Sequence, residues 1–390
     1  MSFPVIGVVG GGQLARMMAP CAVELGFELR VLAEADDVSA VSAVAKAPVG
    51  DYRDLQALRY FAHGLDVLTF DHEHVPSEHL QALIADGVNV QPHPDALIHA
   101  QDKLVMREVV EKLGLPNPAW GSVSTVDELV AFGEQTGWPV VLKTPRGGYD
   151  GKGVRMIHDA SAAADASDWF TGGALLVEEK VDFSRELSAL VARTPSGEAR
   201  AWPVVHTIQV DGVCDEVIAP AQDLPADVAE AAQQAALQLA DELGVTGVMA
   251  AELFATPGRG PGFVINELAM RPHNTGHWTQ DGSVTSQFEQ HLRAVLDLPL
   301  GDTSALGGVV VMKNYLGGAN TDLFSAYPRA LAAEPAVKVH GYGKSVRPGR
   351  KIGHVNVVGQ DASQVDDLRR RADRVASIIR DGVDPQEGKP

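Results

Sequence analysis

Val248-Met249-Ala250-Ala251-Glu252-Leu253-Phe254-Ala255, then the Gly- and Pro-rich turn 257–261, then Phe263-Val264-Ile265-Asn266-Glu267-Leu268-Ala269, form the stretch on which the fold turns. Two apolar runs on either side of such a turn predict an antiparallel hairpin. Each run carries one acid, and pairing about the turn brings Glu252 and Glu267 together. Two carboxylates set into apolar strands repel, and burying them is costly unless a cation lies between them. Mg2+ bridging to a nucleotide triphosphate suits the pair, because it takes one or two carboxylates plus phosphate oxygens. Two solvent-facing acids on an edge hairpin are the competing reading.

The residues that follow are Met270-Arg271-Pro272-His273-Asn274-Thr275-Gly276-His277-Trp278-Thr279-Gln280. So dense a set of polar side chains is unusual for a plain surface loop. An Arg fork matches a planar anion such as a carboxylate or bicarbonate, and His273 can hydrogen-bond the same anion. Upstream, Lys143-Thr144-Pro145-Arg146-Gly147-Gly148-Tyr149-Asp150-Gly151-Lys152-Gly153 joins two predicted strands, 140–143 and 153–157. It is not a Walker A loop: Arg146 stands where the first Gly is required, and Gly153 follows the Lys. What it offers is a glycine hairpin whose backbone N–H groups can cover phosphates, with Lys143 fixed on the preceding strand and Lys103 as a second cation. For either lysine alone, a solvated surface charge is the bland alternative. The strand 174–179 runs into Glu178 and Glu179, and Glu186 follows; a strand edge suits adenine and an acid suits ribose hydroxyls.

At the other end, Val5-Ile6-Gly7-Val8-Val9 reads as a buried strand, and Gly10-Gly11-Gly12-Gln13-Leu14-Ala15 opens a helix after it. This fits the dinucleotide pattern G-x-G-x-x-A, with Glu34 near the ribose position. The same glycines also serve a tight turn with close packing, or a helix N-terminus facing some other ligand. Strands at 29–32 and 67–70 and helices at 13–25 and 77–85 complete an alternating pattern, hence an open parallel α/β sheet. Further helices are expected at 101–113, 229–243 and 286–296. The last ninety residues or so predict strands at 309–313 and 351–358 and an amphipathic helix at 365–379 with Leu368, Ala372, Val375 and Ile379 on one face. The tail from Asp381 has little to bury and is expected to fray. Asp71-His72-Glu73-His74, with His79 beyond, lacks a closed metal-ligand spacing.

A chain of 390 residues with 45% hydrophobic content holds two or three domains. Its net charge of −19, from 32 Lys+Arg against 51 Asp+Glu, argues against a nucleic-acid partner. Two cysteines make no disulfide framework, and no apolar run approaches the roughly 20 residues that span a bilayer. A reducing, cytoplasmic setting without membrane contact is the expectation.

Taken together, the motifs resemble those of ATP-grasp enzymes, and most closely the N5-carboxyaminoimidazole ribonucleotide synthetases of purine biosynthesis. The resemblance runs from Gly10-Gly11-Gly12-Gln13-Leu14 through the glycine hairpin and Asn266-Glu267 to Arg347-Pro348-Gly349-Arg350-Lys351-Ile352-Gly353-His354. The segment 271–280 is its most specific part. Formate-dependent glycinamide ribonucleotide transformylases share Arg-Pro-His but continue Asp-Thr-Gly and lack the His-Trp found here at His277-Trp278. The resemblance implies an ATP-grasp fold of mixed α/β and α+β class. Its expected parts are an N-terminal open α/β domain (1–100), an ATP-grasp domain (101–298, with a lid at about 122–182) and a small β-rich C-terminal domain (299–390).

It implies ATP and Mg2+, with Mn2+ as an alternative ion, and a homodimer acting on small molecules: ATP, bicarbonate and 5-aminoimidazole ribonucleotide. Lys103, Lys143 and the loop Gly148, Tyr149, Asp150, Gly151, Lys152 and Gly153 would hold the ATP phosphates. Glu178, Glu179, Lys180 and Val181 would meet the adenine, Glu186 the ribose, Gln209, Asn266 and Glu267 would be further nucleotide contacts, and Glu252 and Glu267 would bind the metal. Arg271 and His273 would hold bicarbonate and its phosphorylated form. Gly12, Gln13, Leu14, Glu73, Tyr149, Lys152 and Asn274 would line the ribotide pocket, with Lys344, Arg350 and Lys351 on its phosphate. Many ATP-grasp enzymes carry Asn two residues after the second metal Glu; here that position is Ala269. From other classes, a nicotinamide-dependent oxidoreductase and a non-catalytic nucleotide binder remain as competing readings.

Overall fold

The computed structural model describes residues 3–148 and 153–387. In chain order its first part holds β1 (Val5–Val9), α1 (Gln13–Leu25), β2 (Glu28–Leu32), α2 (Leu55–Ala62), β3 (Val67–Phe70), α3 (Ser77–Ala85), α4 (Pro94–Gln101) and α5 (Lys103–Lys112). Next come β4 (Trp120–Val123), α6 (Val126–Thr136), β5 (Val140–Lys143), β6 (Val154–Ile157), α7 (Ala160–Ala164) and β7 (Leu175–Glu179). They are followed by β8 (Arg185–Arg193), β9 (Ala199–Ala201), β10 (Val205–Val210), β11 (Val213–Ala219), α8 (Ala226–Glu242), β12 (Gly247–Ala255), β13 (Phe263–Ala269), α9 (Thr279–Gly282) and α10 (Gln287–Val295). The chain closes with β14 (Val309–Leu316), α11 (Leu323–Ala333), β15 (Lys338–Gly341), β16 (Lys351–Gly359) and α12 (Val365–Asp381).

Among the described residues the strands form three sheets. The first is parallel, in the order β2-β1-β3, so the direction of winding reverses between β1 and β3. A ligand crevice belongs at the carboxyl edge of that switch point. The second, β4-β7-β5-β6, is a small antiparallel sheet carrying the glycine hairpin between β5 and β6. The third is a large antiparallel sheet in the order β13-β12-β8-β10-β11-β14-β16-β15, with β9 paired to β8. Strands of segment 299–390 continue this sheet, because β14 pairs with β11 from Glu216↔Lys313 to Ala219↔Val310.

Strand β12 shows how sequence alternation places the site. Met249, Ala251, Leu253 and Ala255 share a core with Ala232, Ala236 and Leu239 of α8. Val248 and Ala250 point the other way, into a core with Trp278 and Ala294 of α10. Continuing with the strand's period of two puts Glu252 and Phe254 on that second face, past the apolar cover. α10 also packs Phe288, Leu292 and Val295 against Ile6, Val8 and Met18, and so ties the first sheet to the large one. Along α12, Leu368, Ala372, Val375 and Ile379 are all buried as the pattern predicts.

The tail does not fray at Asp381. Asp384 is 3% exposed and its carboxylate accepts from Arg374 Nε and NH2 at 2.8–3.1 Å, while Arg329 pairs with Glu387 and donates to the Gly382 carbonyl. Ion pairs, not apolar burial, hold it. No helix among the described residues is long and apolar enough to cross a membrane.

His291 of α10 pins three elements and makes the fold acid-sensitive. Its Nδ1 accepts from the Val248 N–H (3.1 Å), and its Nε2 meets Thr69 Oγ1 of β3 (2.8 Å). A ring nitrogen that accepts a backbone N–H cannot also carry a proton, and burial holds this imidazole down at about 3. Burial likewise pushes His277 and His354 well below the usual histidine range. Below about pH 6.5 the unfolded chain binds protons that these three native rings refuse, so stability falls as the pH falls. Each contributes up to about 1.4 kcal/mol per pH unit. The urea midpoint at pH 5 should therefore lie clearly below that at pH 7.5, and His291→Gln should flatten part of the slope. Equal midpoints at the two pH values would refute this account.

Candidate active site

A cleft of about 1420 Å³ opens between the carboxyl edge of the first sheet, the glycine hairpin, the β12–β13 hairpin and the loop before β16. Gln13, Leu14, Glu73, Lys103, Gly148, Glu252, Glu267, Arg271, His273, Asn274, Lys344, Arg350 and Lys351 line it. Thirteen of the expected site residues thus meet in one place. Tyr149, Asp150, Gly151 and Lys152 lie outside the described residues.

The hairpin forms as predicted, and Glu252 is the direct Cα partner of Glu267. The register then slips, so that Leu253 pairs with Ile265 and Asn266 is an extra residue on β13. A bulge of this kind re-aims side chains that strict alternation would send to opposite faces. Here Asn266 and Glu267 both reach the lysines: Lys143 Nζ donates to Asn266 Oδ1 (3.3 Å) and Lys103 Nζ lies 3.5 Å from Glu267 Oε1. Glu252 Oε1 lies 3.2 Å from His273 Nε2. Burial alone would raise the Glu252 carboxyl, but His273, Lys351 and Arg271 outweigh it and hold it below the usual range. On the neighbouring strands Gln209 hydrogen-bonds Glu186, whose carboxyl is raised by burial and by the charge of Glu252. The cluster is all oxygen donors apart from His273. Among the described residues no group of three or more His, Cys, Asp or Glu is arranged to hold a metal by itself. Two carboxylates in need of outside ligands fit Mg2+ on a nucleotide, which brings phosphate oxygens and keeps waters.

Behind the cleft lies a buried ion triad. Glu178, 4% exposed, accepts from Lys143 Nζ (2.7 Å) and from Arg107 Nε, and these cations outweigh the burial that would raise its carboxyl. Its side chain is therefore not available to an adenine; only the strand's backbone remains for that role. Glu179 is similarly engaged, with Arg259 NH2 (2.5 Å) and the Ala119 N–H (2.7 Å), while Lys180 is exposed and Val181 buried. Arg107, 1% exposed, went unnoticed in the sequence. It also donates to Asn117 Oδ1 (2.9 Å) and to the carbonyls of Ile265 (2.7 Å) and Asn266 (2.8 Å), which fixes the bulge. A lone Arg between Met106 and Val110 on a helix was the available signal. Phe254, two residues beyond Glu252 on the same face, stacks its ring on Phe183 at 4.4 Å.

The first glycine motif has a structural explanation. Glu34 Oε2 accepts the Gly11 N–H (2.9 Å), and Asp71 Oδ1 accepts those of Leu14 (3.0 Å) and Ala15 (3.3 Å). A Cβ at Gly12 would lie 1.9 Å from Asp71 Oδ2. Two carboxylates thus stand where a dinucleotide pyrophosphate would bind, which removes the oxidoreductase reading. Positive charge at the cleft comes from the loop before β16, on Lys344, Arg347 and Arg350, and from Lys351 at the start of β16. Lys344 Nζ donates to Gln13 Oε1, and Arg350 NH1 donates to Ser345 Oγ (2.7 Å). Glu73 is paired with Arg271 Nε (2.6 Å) and accepts the Met270 N–H (3.3 Å), so it orients the guanidinium. Asn274 lines the cleft, but its Nδ2 is buried and has no hydrogen-bond partner among the described residues. Gly153, at φ +72°, closes the hairpin through its carbonyl to the Thr144 N–H (2.9 Å).

Comparison with known proteins agrees with this geometry. Residues 3–101 match the ribonucleotide synthetase preATP-grasp domain, 108–288 the ATP-grasp domain, and 310–368 the phosphoribosylaminoimidazole carboxylase C-terminal domain. The chain is 53% identical over 392 residues to the N5-carboxyaminoimidazole ribonucleotide synthase of Mycobacterium tuberculosis, covering 98% of this chain and 90% of that one. It is 51% identical over 380 residues to that of Corynebacterium ammoniagenes, covering 96% and 91%. Among solved structures, the Thermus thermophilus synthetase aligns with TM-score 0.85 at 34% identity over 98% and 100% of the two chains. The Aspergillus clavatus synthase in complex with ADP and 5-aminoimidazole ribonucleotide aligns with TM-score 0.87 at 30% identity, covering 96% and 99%. A site built on a paired-glutamate hairpin, two lysines and a basic loop, carried by all three matched domains, places the chain in the N5-carboxyaminoimidazole ribonucleotide synthase family of ATP-grasp ligases.

Proposed function

We propose that this chain joins bicarbonate to the exocyclic amine of 5-aminoimidazole ribonucleotide, converting ATP to ADP and phosphate. The observation that carries the reading is the cleft itself, in which paired acids and lysines face Arg271, His273 and a basic loop. A bicarbonate oxygen attacks the γ-phosphorus and the bond to the β-phosphate oxygen breaks, giving carboxyphosphate and ADP. The amine nitrogen then attacks the carboxyl carbon, directly or after release of CO2; the C–N bond forms, phosphate leaves with the C–O electrons, and the amine gives up a proton. Lys103, Lys143 and the hairpin backbone would hold the ATP phosphates, residues 178–181 the adenine edge, and Glu186 with Gln209 the ribose. Glu252 and Glu267, with Asn266 beside them, would hold Mg2+, which when bound neutralises charge developing on the transferred phosphoryl group. Arg271, oriented by Glu73, would fix the planar bicarbonate, and His273 would donate to it. Gly12, Gln13, Leu14 and Asn274 would take the aminoimidazole end. A homodimer in the cytoplasm belongs to the same reading, and sedimentation would test the oligomer.

Phosphate release measured with ATP, bicarbonate and aminoimidazole ribotide, each omitted in turn, tests the function; release that ignores the ribotide would refute it. The basic loop gives a sharper test. Lys344, Arg347, Arg350 and Lys351 reverse the sign of a chain of net charge −19, and Pro348-Gly349 turns them toward the cleft. Arg350→Ala is expected to raise the KM for the ribotide roughly 10- to 150-fold, which corresponds to about 1.5–3 kcal/mol of charge-assisted bonding. The KM for ATP should hardly move, and the unphosphorylated nucleoside should not distinguish mutant from wild type. Equal losses for ribotide and nucleoside would leave the loop as structure only.

A further inference from the structure

His273 is held from two sides by residues outside the ligand contacts assigned above. Its ring Nδ1 lies 2.9 Å from Thr275 Oγ1, which in turn lies 2.8 Å from Ser188 Oγ. Thr275 is 2% exposed and Ser188 1%. Its backbone is clamped by the fully buried Gln287, whose Oε1 accepts the His273 N–H (2.8 Å) and whose Nε2 donates to the His273 carbonyl (2.8 Å). Ser188 is the β8 residue paired with Glu252 on β12, so the chain of contacts leaves one strand and returns to its neighbour through the imidazole.

The direction of these bonds follows from what each group can donate. Ionised Glu252 only accepts, so the His273 nitrogen facing it, Nε2, must carry a hydrogen. In the neutral ring Nδ1 is then an acceptor, and the partner in reach is the Thr275 hydroxyl, which must donate. That hydroxyl has one proton, so its oxygen is left to accept from Ser188. The order is Ser188 O–H to Thr275 oxygen, Thr275 O–H to His273 Nδ1, and His273 Nε2–H toward Glu252 Oε1 at the wall of the cleft. The partner of the second ring nitrogen commonly sets which nitrogen of a histidine is protonated.

We propose that Thr275, backed by Ser188, is a positioning residue that fixes His273 as the Nε2–H tautomer and holds that hydrogen beside Glu252 at the edge of the cleft, where the anion derived from bicarbonate would share it. The inference rests on the assignment of His273 to bicarbonate made above. Without the hydroxyl the imidazole gains a second tautomer and rotational freedom, and the Nε2–H is no longer presented to the anion in every molecule.

The test is steady-state phosphate release with each of the three substrates varied, on Thr275→Val, Thr275→Ser, Ser188→Ala, His273→Ala and the double variant His273→Ala/Thr275→Val. Thr275→Val keeps the shape and removes the hydroxyl. It is expected to lower kcat/KM for bicarbonate by about 10- to 100-fold, the usual cost of an outer hydrogen-bond partner, with the KM for ATP within about twofold. Thr275→Ser should stay within about threefold of wild type, and Ser188→Ala should fall between the two. The double variant should be no worse than His273→Ala, because a residue acting through the imidazole has nothing left to act on. Losses that multiply in the double variant, or a Thr275→Ser as poor as Thr275→Val, would overturn the proposal and leave Thr275 a packing residue. Should Thr275→Val not fold, Ser188→Ala alone and in the His273→Ala background decides by the same criterion. Should His273→Ala use bicarbonate normally, that assignment and this inference both fall. Should His273→Ala be impaired and Thr275→Val normal, only this inference falls.

Discussion

Glu267→Gln is expected to cut turnover by at least about 100-fold, the upper end of what loss of an outer metal partner alone costs. The substitution keeps the shape of the side chain and removes one of two charges that face each other across the β12–β13 pair. The fold should be indifferent. Lys103 is the ion partner of Glu267, and a pair whose carboxylate is 38% exposed is worth about 0–1 kcal/mol. Removing one of two opposed carboxylates also relieves repulsion, so the thermal midpoint should hold or rise while activity collapses. That combination distinguishes a ligand from a structural acid. Raising Mg2+ should recover part of the rate, since the remaining Glu252 still offers one oxygen ligand. Near-normal turnover at ordinary Mg2+ would sink the metal assignment.

The sequence was most readable where the chemistry and the periodicity coincide. In β12 and β13 each acid interrupts an otherwise apolar run, so both the strand and its function are marked by the same residue. β1, β3 and α1 were equally plain, because strand and helix alternate with glycines between them. The centre of the large sheet was not: from Leu187 to Ala192 every residue of β8 is buried, so the segment has no period of two to betray it. β10 and β11 were overlooked too, although they carry Gln209 and join the C-terminal strands to the rest. The bulge at Asn266 is invisible to a pattern of alternation, yet it lets two successive side chains reach lysines, Asn266 to Lys143 and Glu267 to Lys103. Glu178 illustrates the remaining gap. Its neighbours in sequence suggest an open strand end, whereas its partners, Arg107 and Lys143, lie 71 and 35 residues away. Burial and long-range pairing decide whether a carboxylate is offered to a ligand, and neither is written locally.

That buried triad yields the largest expected effect on stability. Arg107→Met keeps the helix and much of the volume but leaves the 4% exposed Glu178 with Lys143 as its remaining cation among the described residues. It also strips donors from the carbonyls of Ile265 and Asn266. Breaking one partner out of a buried ion group costs about 3–5 kcal/mol. The amides of β7 and β13 should report this directly, because local opening sets their hydrogen exchange. Their protection should fall by roughly 10²- to 10⁴-fold. ATP binding should weaken as well, since Lys143 is drawn toward Glu178 and the bulge that aims Asn266 has lost its anchor. The double variant Arg107→Met/Glu178→Met separates the two consequences. An apolar replacement of a buried ion pair is often neutral or better, so exchange protection should return toward wild type. ATP affinity should not return, because neither Glu178 nor Arg107 is left to hold Lys143 and Asn266 in place. Recovery of both together would mean that the triad serves packing alone. Recovery of neither would mean that the carbonyl contacts of Arg107, not its charge, hold β13 in register.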